Sequence, residues 1–569
     1  MQLIFKYIFK YKRLFLLNIL SFIVTIACEL YVPHIIGEII AKPERDMNKI
    51  IVTLCFVVVF IFLGNLTMIF SISKVSSLIF KDLSFEVFKK INTFSTSEIQ
   101  EIGIANIVSR SIYNINQIIN FITSFYKTVF CTPIVLMICF YFIYNVNPSM
   151  SYGIIFTVFF LILFLIFIIK KNFFLSLKQY SELEQINYKI RSDLMGMKVI
   201  RSLNKEKVEE KNFEKTNSRY ANSTIKLFNS VLSVEPIFYL FLNASIILTT
   251  FIGAQLVFDG GPMSDLYIAI NYNMHIIFNV LSFLLLFMLV PKTMISIKKI
   301  NLLLNMKPYI ENNFDEKLKL EKIKTIEFKN VSFQSRNTLD PILKNINFQL
   351  KESEIIAIVG RTGSGKTTLM DLIPRLIDPT EGNIEINGID IKNYDFKVLR
   401  DKIGFVSQKN ILFKGTILSN LLFGKENANE EEILEQTKIS QSYEFIQSKE
   451  KKLQAPISEL GNNLSGGQKQ RISITRAFLK QPDVYIFDDS FSALDYKTDL
   501  AIRRSFFSNN KNSIIIIVAQ RLTSILDADK IIVLDKGEIV DIGKHKELMK
   551  NSPLYQSIAF SQNITEKVL

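Results

Sequence analysis

The chain has 569 residues, 49% of them hydrophobic, with 48 phenylalanines and no tryptophan. That is too long for one domain and too apolar for a wholly soluble protein. The formal net charge of +14 comes from Lys and Arg spread along the chain, with no arginine-rich tail or base-reading motif, so no nucleic acid is expected as a partner; a membrane protein with a basic cytoplasmic side accounts for the charge.

In chain order, a basic cluster from Lys6 to Arg13 precedes an apolar stretch too long for a cleavable signal, which reads as a surface helix leading into a retained span. Six apolar segments are long enough to cross about 30 Å of hydrocarbon: Leu14 to Ile40, Ile50 to Phe70, Phe121 to Tyr144, Tyr152 to Ile169, Val231 to Val257 and Leu266 to Val290. Spans three and four, and spans five and six, are joined by short links without Lys or Arg, whereas Lys170 to Lys226 carries thirteen of them. The positive-inside rule then places the long connections, both termini and the polar C-terminal half in the cytoplasm of a cell-membrane protein. The long connections keep helical composition, so the helices are expected to continue past the bilayer. Cys28, Cys55, Cys131 and Cys139 all lie in apolar runs without metal-ligand spacing and read as packing residues. Glu29, His34, Glu235 and His275 fall inside spans; they either line a substrate cavity or sit near span ends and bond to neighbouring helices.

Between Lys307 and Lys324 the composition turns charged and polar. The expected organisation is a membrane domain over 1–308, a linker over 309–322 and a soluble domain over 323–569. In the latter, strand-like runs Ile326 to Phe333 and Ile342 to Leu350 lead to Ile355 to Val359, a β-branched run suited to a buried parallel strand. Gly360-Arg361-Thr362-Gly363-Ser364-Gly365-Lys366-Thr367 follows at once, then Thr368 and the apolar start of a helix. Glycine, four residues, then Gly-Lys-Thr is the pattern of a phosphate loop. Its backbone N–H groups and the positive end of the helix cradle nucleotide phosphates, Lys366 adds a charge, and the Thr367 hydroxyl can ligate Mg²⁺. Later strands Val484 to Phe487 and Ile514 to Val518, separated by helical stretches, imply a doubly wound α/β domain.

Further motifs follow the loop: Gly404-Phe405-Val406-Ser407-Gln408, Leu464-Ser465-Gly466-Gly467-Gln468, Val484-Tyr485-Ile486-Phe487-Asp488-Asp489, Ser492-Ala493-Leu494-Asp495 and Val518-Ala519-Gln520-Arg521. With the loop and six spans they resemble the ATP-binding-cassette exporters across the whole chain. That resemblance implies ATP and Mg²⁺ as cofactors, with Thr367, Gln408 and Asp488 at the metal. It also implies that Ser465, Gly466, Gly467 and Gln468 open a helix facing the ATP of an opposite subunit, so the chain must pair with a second half-transporter. The segments Phe94 to Ile99 and Leu194 to Arg201 resemble the intracellular loops by which such exporters touch their cassettes, or are merely solvated charged helices.

Three positions depart from the family pattern. Asp489 stands where active members carry a glutamate that polarises the attacking water, Gln520 where they carry a histidine, and Ser335 where a tyrosine usually stacks on adenine, leaving Arg336 or Phe333 to hold the base. Aspartate is one methylene short, and a misplacement of about an ångström can cost on the order of a hundredfold in rate; Gln520 can bond phosphate but carries no charge. Two independent losses on one catalytic face imply the degenerate half of a heterodimer, binding ATP and hydrolysing it poorly, with cargo among amphipathic drugs, lipids or short peptides. A slow homodimer and a regulatory membrane subunit gating a partner are the alternatives.

Overall fold

A computed structural model describes residues 6–562 apart from 8, 42–46, 313–317, 337 and 339; of residues 105, 126, 127, 131, 283–285 and 288 it describes the backbone only. Part of the linker expected over 309–322, and the Cys131 side chain, therefore lie outside the described residues. The chain divides into two compact units, Met1–Lys307 and Pro308–Leu569.

Long apolar runs with few Pro or Gly make the first unit helical. Its long helices are α1 (Lys12–Ala41), α2 (Met47–Ile91), α3 (Asn106–Val146), α4 (Pro148–Met195), α5 (Glu206–Phe258) and α6 (Met263–Asn305). Among the described residues the first five are long and apolar enough to cross a membrane. The sixth segment read from the sequence lies in α6, which is not one of those five and packs against all of them. At 1.5 Å per residue the 48-residue α4 is about 72 Å long, more than twice the hydrocarbon thickness. On α2, Phe56, Phe60, Phe62 and Phe70 are each more than half exposed, an apolar face that lipid rather than water suits.

Polar groups inside this unit pin helices together. Ser245 donates to Asn273 Oδ1 at 2.9 Å, Asn273 Nδ2 donates to Thr249 Oγ1 at 3.0 Å, and the Thr157 and Ser245 hydroxyls meet at 3.0 Å. All four side chains are buried, so α4, α5 and α6 are tied by bonds with no competing water. The Tyr272 hydroxyl donates to the Leu30 carbonyl at 2.7 Å and ties α6 to α1. The turn after α2 holds a short helix, Thr96–Ile102, started by a reciprocal cap between Ser95 and the buried Glu98; a second, Met197–Ser202, follows α4. Two π turns, Arg110–Asn114 and Lys127–Cys131, interrupt α3. Of the ionisable groups that the sequence places within spans, His34 and Glu235 are exposed, and Glu29 and His275 are half-buried.

The second unit is built on β1 (Thr325–Phe333), β2 (Leu343–Lys351), β3 (Ile355–Gly360), β4 (Glu381–Ile386), β5 (Ile389–Asp390), β6 (Ile403–Val406), β7 (Gly415–Thr416), β8 (Pro456–Ile457), β9 (Val484–Asp488), β10 (Ile514–Val518), β11 (Lys530–Asp535) and β12 (Glu538–Gly543). The main sheet runs β12-β11-β3-β10-β9-β6, parallel from β11 to β6. Strand alternation splits the core in two. Ile356, Ile358, Ile486 and Ile516 face the antiparallel sheet β2-β1-β4-β5, while Ala357, Val359, Phe487 and Ile517 face helices that contribute Phe478, Phe506 and Tyr555. Both faces being covered, the central strands are continuous apolar runs, as the sequence reading expected. Parallel alignment brings the C-terminal ends of β3, β9 and β10 to one edge of the sheet.

Candidate functional site

That edge gathers the motif residues. β3 ends at Gly360, and α7 (Lys366–Leu372) begins after the loop. A Cβ on Gly360 would stand 2.1 Å from the Leu534 carbonyl oxygen of β11, so only glycine lets the two strands pair there. Gly363 and Gly365 take φ of +83° and +99°, the left-handed turn that curls the N–H groups inward. Within the loop, Lys366 Nζ donates to the carbonyl oxygens of Gly360 and Arg361, both at 2.8 Å. Burial lowers the Lys366 pKa, and the negative charge of Asp488 and Asp489 opposes that shift.

β9 delivers the two carboxylates. Asp488 is buried, and the Thr367 hydroxyl donates to its Oδ1 at 3.4 Å, while Oδ2 has no hydrogen-bond partner among the described residues. Burial raises its pKa above the usual carboxylate range, with the neighbouring Asp489 adding to the effect. Asp489 adopts φ +49°, a left-handed conformation that aspartate tolerates better than most residues, and its N–H donates to the Val518 carbonyl at 3.0 Å. Its Oδ2 accepts from Gln520 Nε2 at 3.0 Å and from Gln408 Nε2 at 3.4 Å. The two departures from the family pattern are therefore in contact, which corrects the expectation of two independent losses: β9 and β10 are adjacent, and their ends must meet. Burial also raises the Asp489 pKa, opposed first by the hydrogen bond from Gln408.

Ser465 caps helix α8 (Gly466–Lys480): its Oγ accepts from Gln468 N at 3.3 Å, and Gln468 Oε1 accepts from Ser465 N at 3.1 Å. Gln468 thus spends its side chain on its own helix end, and the first-turn N–H groups keep their positive end. The sequence reading missed Gln470. Buried at 1% exposure, it accepts from Ala493 N at 3.2 Å and donates to the Asp489 carbonyl at 3.5 Å, so it ties α8 to the segment that ends in Asp495. Asp495 then caps α9 (Tyr496–Asn509) through Thr498 N. Arg361, Thr362 and Thr368 lie in or just behind the loop. At the position of Ser335, the neighbouring Arg336 stacks on Tyr309, 3.6 Å from the ring centre. Tyr309 comes from the stretch read as linker, and no motif signalled it.

Residues 14–281 match the family described as the ABC transporter transmembrane region, and residues 343–492 match the one described as ABC transporter. The uncharacterized ABC transporter ATP-binding protein YfiB of Bacillus subtilis (strain 168) is 30% identical over 570 residues, covering 99% of this chain and 98% of that protein. A putative multidrug export ATP-binding/permease protein of Staphylococcus aureus (strain NCTC 8325 / PS 47) is 41% identical over 239 residues, 42% of this chain and 41% of its own. A solved bacterial Atm1-family ABC exporter with ATP bound superposes with a TM-score of 0.83 at 23% identity, over 97% of this chain and 99% of that one, which carries the fold. With a phosphate loop facing the end of β9 and, among the described residues, five helices long and apolar enough to span a bilayer, the chain belongs to the ABC transporters: its exporter-type fold joins a multi-pass membrane region to a cassette that binds and hydrolyses ATP.

Proposed function

We propose that this chain is one half of a heterodimeric exporter whose own phosphate-loop site binds ATP and turns it over slowly. The observation that carries this reading is the Asp489 carboxylate, one methylene short and held by the amides of Gln520 and Gln408. A general base must reach its water unencumbered. Here two amide donors occupy its Oδ2, and Gln520 supplies no charge for phosphate.

Gly360 to Thr368 wrap the phosphates, with Lys366 exchanging its carbonyl partners for phosphate oxygens. The residues also fit a Mg²⁺ ion: the Asp488 carboxylate, with its Oδ2 unpartnered and its Oδ1 accepting from the Thr367 hydroxyl, is the one-carboxylate, oxygen-rich set that Mg²⁺ takes alongside phosphate, and the family resemblance adds Gln408. When bound, the ion neutralises phosphate charge and orients it. Ser465, Gly466 and Gly467 present the N-terminus of α8 to ATP held by the partner, whose glutamate and histidine do the faster hydrolysis. Gln470 couples α8 to Asp489, so closure on one site is felt at the other. Met263–Asn305 serves as the sixth span, the cassette faces the cytoplasm of a cell-membrane protein, and the domains follow the bounds 1–308, 309–322 and 323–569. Cargo is amphipathic, in keeping with the export role in the Staphylococcus relative's name.

The test is ATPase activity of the purified chain alone and co-expressed with a second cassette protein encoded beside it. Activity that appears only in the pair, and vanishes when the partner's glutamate is removed, supports the asymmetric heterodimer. Brisk turnover by this chain alone would mean a homodimeric pump, and ATP-dependent conformational change without cargo flux in the pair would mean a regulatory subunit.

A further inference from the structure

The first unit carries an open-sided cavity of about 940 Å³, near the top of the range for small-molecule sites. Its walls come from α3 and α6. Ser296 of α6 donates to Asn114 of α3 at 3.3 Å, which fixes the register between them. Arg110 precedes Phe121 by eleven residues on α3, and Lys298 follows Phe287 by eleven on α6. With the helices antiparallel, both cations stand at one end, about 16 Å from the phenylalanines at the other. The aromatic end lies within the apolar segments and the cationic end beyond them. No carboxylate lines the cavity, and the half-buried Arg110 guanidinium has neither hydrogen bond nor ion pair among the described residues. Asn301 and Asn305 also line a second hollow of about 690 Å³, rimmed by Lys6, Lys89, Lys90 and Glu86, whose carboxylate is already paired with Lys6 at 2.9 Å.

From this polarity we infer that the cavity binds an anionic amphiphile, with its carboxylate- or phosphate-type head at Arg110 and Lys298 and its hydrocarbon along Phe121, Phe125 and Phe287. A half-desolvated guanidinium gains most from an anion that pairs with it directly. A cationic amphiphile of the same length meets like charge at the head end and no carboxylate to receive it. Glu29, His34, Glu235 and His275 take no part, since none lines this cavity. The inference deepens the exporter reading by giving the sign of its cargo, but binding does not depend on transport.

The test uses the full-length chain in phosphatidylcholine nanodiscs with three radiolabelled probes of one chain length: oleate, oleyl alcohol and oleylamine. Oleate is expected to bind at least tenfold tighter than oleylamine. Arg110→Gln should weaken oleate at least tenfold and leave oleyl alcohol unchanged, Lys298→Gln should weaken it less, and Arg110→Lys should restore part of the loss; unchanged ATP binding shows that each variant is folded. Displacement of oleate by phosphatidylglycerol added to the bilayer identifies a lipid headgroup as the source of the anion, and no displacement identifies a free amphiphile. Equal binding of the three probes, or an Arg110→Gln variant that holds oleate as well as the parent, overturns the inference. Charge-selective binding without ATP-driven movement of oleate in proteoliposomes would instead count against the exporter reading alone.

Discussion

Contact between Asp489 and Gln520 turns the catalytic departures into one coupled pair, and a double-mutant cycle reads the coupling. Asp489→Glu advances the carboxylate by about one C–C bond, ~1.5 Å, so it cannot keep the present 3.0 Å contact with Gln520 Nε2 unless it swings aside. Restored reach should raise kcat by on the order of ten- to a hundredfold. Gln520→His adds a group able to carry charge but removes the amide from Asp489. A hydrogen bond to a charged acceptor is worth up to about 1.5–3 kcal/mol, and the exposure of Gln520 discounts it. The coupling should therefore be on the order of 1 kcal/mol, a roughly fivefold departure from multiplicative effects. Single-turnover ATP hydrolysis by the pair, with the partner's glutamate removed so that only this chain's slow site acts, measures it for the parent, both single variants and the double. A double variant equal to the product of the singles within twofold would show that the two side chains act independently, and the argument from their contact would fail. The left-handed backbone at position 489 adds a separate expectation: glutamate tolerates φ +49° less well than aspartate, so Asp489→Glu should lower the melting temperature of the cassette while raising its rate.

Other perturbations reach the scaffold. Gly360→Ala sets a methyl 2.1 Å from the Leu534 carbonyl oxygen and must part β3 from β11; loss of nucleotide binding together with destabilisation above about 3 kcal/mol is expected, and a variant that melts and binds like the parent refutes the close approach. Burial, reinforced by the Asp488 charge, pushes the Asp371 carboxyl up to about 6 from its ordinary 3.8. Because the folded state favours the protonated form, its contribution is full below pH 3.8 and lost as pH rises through 6; Asp371→Asn should leave stability unchanged near pH 4 and raise it at pH 8 by on the order of 2–3 kcal/mol, and equal melting shifts at both pH values would exclude the effect. Asn273→Leu strips Ser245 and Thr249 of their shared partner and should cost about 0.6–1.7 kcal/mol in detergent unfolding; no change would mean that the network holds nothing.

Much of this protein is legible in one dimension because its motifs are local. A phosphate loop needs its glycines, lysine and threonine within eight consecutive positions, and β9 carries its carboxylates at its own end, so both could be read without knowing their neighbours. Five of the six expected spans were equally local, since lipid selects composition over some twenty residues regardless of what packs alongside. Even the two-core cassette was implied by continuous apolar strands, which only a sheet covered on both faces can use.

What the sequence could not show is which side chains meet across strands and helices. Asp489 and Gln520 are thirty-one positions apart, and only the parallel pairing of β9 with β10 makes them one site rather than two losses. Gln470 follows the signature motif, Leu464 to Gln468, in sequence, but its role exists only because α8 packs where its amide reaches both Ala493 and Asp489. Tyr309 lies in a stretch that reads as linker, and only the fold stacks Arg336 upon it. The π turns of α3 and the cavity with cations at one end depend on helix register, a choice made by side-chain packing between segments some 180 residues apart. Local chemistry is written along the chain, whereas the charge, contact and coupling of a site are sums over neighbours that only folding assembles.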